Sequence, residues 1–138
     1  MTREIAIRSS RDGVTLTLSN FAPEDPSHVS ESFLVEVKAY DVRAEIRAST
    51  YMAPDLGQFF ASLARDWRGW RGERKWGTLE NEFELVATAD TVGHVRLGYA
   101  IRPPFTDLHW ELRGALELEA GGLEAIAAEV ASVWRNSA

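Results

Sequence analysis

Residues 53–67, APDLGQFFASLARDW, align without a gap onto residues 120–134, AGGLEAIAAEVASVW, at an offset of about half the 138-residue chain. An internal repeat of this kind constrains a fold more than any composition does, because both copies must bury the same kind of surface. Leu56, Phe59, Phe60, Leu63 and Trp67 fall at helical spacing, and Leu123, Ile126, Ala127, Val130 and Trp134 repeat it. Each segment therefore reads as an amphipathic helix with one apolar stripe, over 54–68 and 121–135. Pro54 suits a first helical turn, and Gly69 and Gly72 stop the first helix after its stripe ends. On this pattern both Trp67 and Trp134 are core residues, and superposing the two halves should place one at the other's position.

The segments before each helix alternate apolar and polar residues with period two, the signature of strands with one buried face. In the first half these are Glu4 to Ile7, Val14 to Leu18, Phe33 to Ala39 and Val42 to Ala48. In the second they are the segment around Trp76, Phe83 to Ala89, Val95 to Ile101 and Trp110 to Leu118. Tight turns between them imply antiparallel pairing. The expected fold is α+β, a four-strands-then-helix unit in tandem: one domain over 1–138, with pseudo-repeats at about 1–69 and 70–138. Phe21 to Ser32, with Pro23 and Pro26, is the one long loop. In the hairpin 33–48, a two-residue turn at Tyr40-Asp41 would set Lys38 opposite Arg43 and Glu36 opposite Glu45. Like charges opposed in this way destabilise, so a register with a loop two residues longer is expected.

With 45% hydrophobic and 26% charged residues the chain is long enough to bury a proper core. The net charge of −6 opposes phosphate backbones and anionic lipid surfaces and favours neutral or basic partners. The absence of cysteine excludes disulfides, thiolate metal sites and cysteine nucleophiles. The opening MTREIAIRSS has no continuous apolar stretch, so a cytoplasmic protein with no membrane partner is expected.

WRGWRGERKW, residues 67–76, packs three of the five tryptophans among four basic residues. Trp67 belongs to the helical stripe and Trp76 opens a strand, which leaves Trp70, in the connector between glycines, as the surface aromatic. Trp70, Arg71 and Arg74 are therefore the candidate binding residues, against the plainer reading of a helix-stop-strand junction whose basic groups complement a helix C-terminus. Asp90 and His94 form a second candidate, since a turn joins them and both lie on the strand face opposite Phe83, Leu85, Val95 and Leu97. A carboxylate beside a histidine fixes its tautomer, as general-base chemistry requires. The plainer reading has Asp90 capping its own turn and His94 as a solvated strand end, and no serine or threonine is placed beside them as a nucleophile.

No cofactor or metal is expected. His94 and His109 fall near opposite ends of a hairpin, about 25 Å apart at roughly 3.3 Å per residue, and His28 sits in the proline-flanked loop. Gly121-Gly122 opens a helix but no P-loop lysine follows, and Glu119 and Glu124 bring the wrong charge for an anion. Glu111, Glu117 and Glu119 with Arg113 read as a mixed solvated strand face.

The segments W-x-G-x-R-x-W at 70–76, D-x-x-G-H-V at 90–95 and L-E-A-G at 118–121 together resemble a family of small bacterial proteins defined only as a domain of unknown function, over roughly residues 33–134. The resemblance implies a bacterial protein and no particular chemistry. The strand-helix order is similar to that of the Whirly and PUR single-stranded nucleic-acid binders, a likeness of topology that confers no function. Three function classes follow. A non-catalytic module that binds a protein partner or a second copy, in an accessory or immunity-like role, accounts best for the missing site. Single-stranded nucleic-acid binding fits the topology but opposes the charge, so nucleic acid is the less expected partner. A small hydrolase or ligand-binding protein would use Asp90 and His94.

Overall fold

The computed structural model describes residues 4–22, 31–104 and 110–134. Four antiparallel strands, β1 (Glu4–Arg8), β2 (Thr15–Ala22), β3 (Ser32–Ala39) and β4 (Val42–Ser49), form one sheet in sequential order, and helix α1 (Leu56–Arg65) follows. The second sheet, β5 (Arg74–Gly77), β6 (Phe83–Ala89), β7 (His94–Ile101) and β8 (Leu112–Glu119), has the same order. A 3-10 turn at Ala120–Gly122 leads from it into α2 (Leu123–Val133). The fold is thus α+β, with an antiparallel sheet followed by a helix, twice. His28 and His109, and the proline-containing part of the long loop, lie outside the described residues.

Alternation decides which strand face is buried. Leu16 and Leu18, Val35 and Val37, Leu85 and Ala87, and Leu97 and Tyr99 all point into a core that both sheets and both helices share. At one end of that core Phe33 of β3 meets Phe83 of β6 edge-to-face at 6.1 Å, and Trp134 packs against Phe33 and Trp76 at 5.6 and 5.8 Å. The buried Trp76 indole donates to the Pro54 carbonyl at 2.7 Å, which ties β5 to the start of α1. Glu82, a buried carboxylate, ties the sheets together. It accepts from the Ser49 backbone N–H at the end of β4 (2.7 Å) and from the Thr78 hydroxyl (2.6 Å).

The helices run antiparallel in contact. Gly57 of α1 lies so close to Ala131 of α2 that a Cβ would stand 3.2 Å from the Ala131 Cα, while Ala64 lies across from Ala120 and Gly121. Asp55 caps α1 by accepting from the Gln58 N–H at 3.1 Å.

Two expectations are corrected here. The β3–β4 hairpin adopts the tight register, with Ala39 opposite Val42, Lys38 opposite Arg43 and Glu36 opposite Glu45. The like charges are relieved diagonally, because Arg43 reaches Glu36 with its Nε at 2.8 Å and its second guanidinium nitrogen at 2.7 Å. Tyr40 takes a left-handed backbone (φ 52°) to close the turn.

The second correction is Trp67, which is 54% exposed, whereas Trp134 is 6% exposed. Helix α1 ends at Arg65, earlier than its stripe implied, and Asp66 leaves the helical conformation (φ −100°, ψ 40°). The reason lies one residue before each tryptophan. Asp66 is drawn out by a 2.7 Å ion pair with Arg74 of β5, and Arg74 also donates to the Ser62 carbonyl at 3.0 Å. The matching position in the second half is the buried apolar Val133, so α2 continues and carries Trp134 into the core.

Candidate functional site

The connector 66–73 and the β6–β7 turn, which the sequence marks separately, meet at one end of the second sheet. Gly69, at φ 115°, sits so tightly on the turn that a Cβ would lie 3.1 Å from the Asp90 carbonyl. The end of β8 joins them: His94 stands opposite Glu119 in the β7–β8 register, and the Ala120 N–H donates to the Gly93 carbonyl at 2.9 Å.

Asp90 does first what its turn demands. Its Oδ1 accepts from the Val92 and His94 backbone N–H groups, both at 2.9 Å, and its Oδ2 lies 3.1 Å from His94 Nδ1. These backbone bonds, that to the His94 N–H foremost, hold the Asp90 carboxyl below the usual carboxylate range. The pair expected from the sequence is therefore formed, with the carboxylate fixed by its turn. His94 Nε2 faces Glu119 Oε1 at 3.6 Å, so a second acidic residue, from β8, completes the cluster. The histidine thus stands between two carboxylates, with an acid at its second nitrogen.

The connector distributes its tryptophans differently from the sequence expectation. Trp70, taken there as the free surface aromatic, is partly buried against the core, and the Arg74 guanidinium lies over its ring at 4.6 Å from the centroid. Its Nε1 is buried without a hydrogen-bond partner among the described residues. Arg74 is committed to Asp66, Ser62 and the Trp70 ring together, Lys75 lies 3.6 Å from Glu73, and Arg68 lies over Trp67 at 4.9 Å. Arg68 and Arg71 are both exposed without an ion pair or hydrogen bond to a described residue, and of the two only Arg68 lies over a ring.

Trp67 is the side chain that sequence reasoning missed. It lines an open cleft of about 200 Å³ between the end of α1 and the start of α2, together with Ala64, Ala120, Gly121 and Glu124. Small residues at 64, 120 and 121 line the cleft beside the indole, and the Arg68 guanidinium lies over its ring. Glu124 lies in the first turn of α2, with Glu119 directly before the 3-10 turn. No group of three or more His, Cys, Asp or Glu is placed to hold a metal ion among the described residues, and none of their helices is long and apolar enough to cross a membrane.

No curated protein and no solved structure is significantly similar to the chain. The match to a family profile extends beyond the resemblance carried by the three motifs, back to the last residues of β1. It spans residues 7–137, and the chain belongs to the family of unknown function DUF6228.

Proposed function

We infer that this chain is a non-catalytic, cytoplasmic protein-interaction module of bacteria, serving in an accessory or immunity-like role, and that Trp67 anchors its partner. The observation that carries the reading is the half-exposed indole of Trp67 on a cleft floored by small residues. A large aromatic beside a pocket is the commonest kind of binding hot spot. The cleft is edged by Glu124, with Glu119 and Asp90 nearby, and the whole chain carries −6. The matching partner presents an apolar side chain to the indole and a lysine or arginine to the carboxylates.

The same residues support nucleic-acid binding less well. That reading needs Trp70 free to stack and Arg74 free to meet phosphate, and both are used within the fold. The hydrolytic reading has its Asp90–His94 pair but an acid at the histidine's far nitrogen.

Site-specific photocrosslinking tests the proposal. A photoreactive amino acid replacing Trp67 should crosslink one discrete protein in the bacterial cell, and the same group replacing Val86, on the outer face of β6, should not. Identical crosslinking from both positions, or crosslinks to nucleic acid from position 67, would count against it.

A further inference from the structure

β4 is an outer strand of the first sheet, paired among the described residues with β3 alone. The tight Tyr40–Asp41 turn makes Ala39 and Val42 a bonded pair, so the backbone groups of the even-numbered residues of β4 face β3. Those of Arg43, Glu45 and Arg47 face outward. Ser49 has the same parity, and its N–H does point away from β3, to Glu82. The side chains of Arg43, Glu45 and Arg47 are all exposed on one face of the sheet, with Ile46 and Ala48 buried on the other. Glu45 stands opposite Glu36, whose carboxylate is taken by Arg43, and makes no ion pair or hydrogen bond with a described residue.

We propose that a second copy of this chain pairs with β4, antiparallel, about a two-fold axis centred on Ile46, joining the two first sheets into one. An outer strand is a template for such pairing, and charged side chains on it decide which pairings are allowed. A two-fold perpendicular to the sheet permits only registers that keep each side chain on its own face. Centred on Glu45, the axis would set Arg43 against Arg47 and Glu45 against itself. Centred on Ala44, it would offer Glu45 an Arg43 that Glu36 already holds, and would leave the end of β4 facing the turn. Centred on Ile46, it sets Glu45 opposite Arg47 of the second copy, twice, with residues 44–48 paired and Ser49, whose outward N–H is held by Glu82, ending the ladder on each side.

The exposed apolar side chains point to the same register. Of the eight large hydrophobic residues exposed among those described, four flank β4: Tyr40 and Val42 at one end, Tyr51 and Met52 at the other. The Ile46-centred axis brings the Tyr40 end of each copy beside the Met52 end of the other, covering both. This surface shares no residue with the Trp67 cleft, so either proposal can fail while the other stands.

Light scattering coupled to size exclusion, over a range of concentrations, tests the proposal through a charge exchange. The wild type should have the mass of two chains. Glu45→Lys and Arg47→Glu should each have the mass of one, with unchanged circular dichroism. An equimolar mixture of these two variants should recover the dimer mass, because every pair across the axis is again of opposite charge. Trp67→Ala should stay dimeric. A wild type that is monomeric throughout, a dimer indifferent to both charge changes, or a mixture that stays monomeric would each overturn the proposal.

Discussion

The Arg74 guanidinium lies over the Trp70 ring, 4.6 Å from its centroid, while donating to the Asp66 carboxylate and the Ser62 carbonyl. One side chain from β5 thus ends α1, holds the connector indole against the core and turns Trp67 outward. Arg74→Ala should lower stability by about 1–3 kcal/mol, the usual range for losing charge-assisted hydrogen bonds in a partly buried place. Arg74→Lys should recover only part of that, because an ammonium lacks the planar fork. Urea denaturation of the three proteins checks this, and a lysine variant as stable as the wild type would show that charge alone suffices.

The two connector tryptophans should respond oppositely to truncation. Trp70→Ala removes a partly buried ring from the core edge and should cost about 1–3 kcal/mol, below the range for fully buried aromatics. Trp67→Ala should change the melting temperature little, since its ring is largely in solvent. Thermal denaturation of both variants decides it, and a greater loss from Trp67→Ala would restore the reading in which that residue is core.

Tyr99 of β7 lies across Gly114 of β8, its register partner, so closely that a Cβ at 114 would overlap the phenol ring and hydroxyl. Gly114→Ala should therefore destabilise by about 1–3 kcal/mol, the cost of overpacking. A Gly114→Ala, Tyr99→Ala double variant should lose the clash itself. Comparing each single variant with the double in denaturant would detect the coupling.

Removing the buried Glu82 carboxylate leaves the Ser49 N–H without its acceptor and the Thr78 hydroxyl with only the longer contact, 3.4 Å, to the Phe83 carbonyl. Glu82→Leu should cost about 1–3 kcal/mol for each group left unsatisfied. Hydrogen exchange at the Ser49 amide should accelerate in that variant. Unchanged protection there would mean that this contact does not hold the sheets together.

The Asp90 carboxyl titrates below the ordinary aspartate value of about 3.9. Because the folded value is the lower one, the contribution to stability is present above that pH and is lost as the pH falls through the folded value. Carboxyl-carbon NMR should find Asp90 titrating below that ordinary value in the folded protein. The difference should vanish when the turn is unfolded by urea.

Strand alternation and helical stripes made the architecture legible, because periodicity is local and burial follows it. The Asp90–His94 pair was legible for the same reason, being closed by one turn. What the sequence concealed depends on partners far along the chain. Trp67 fits its stripe, but α1 ends at Arg65, where Asp66 pairs with Arg74 of β5, and the indole stays outside the core. The hairpin register looked unfavourable across the strands, and a diagonal Arg43–Glu36 contact relieves it. Glu119 joins His94 only through the β7–β8 register, and the cleft needs both helices in place.

Calorimetric titration of the protein crosslinked at position 67, once identified and purified, bears most directly on the claim that Trp67 anchors a partner. Wild type should bind it with a defined stoichiometry. Trp67→Ala should bind at least about tenfold more weakly, the loss of some 1.4 kcal/mol expected of a minor hot spot or better. Trp67→Ala should do so with an unchanged melting temperature, and added salt should weaken the wild-type complex. Equal affinity for the two proteins, or no binding by either, would contradict the account.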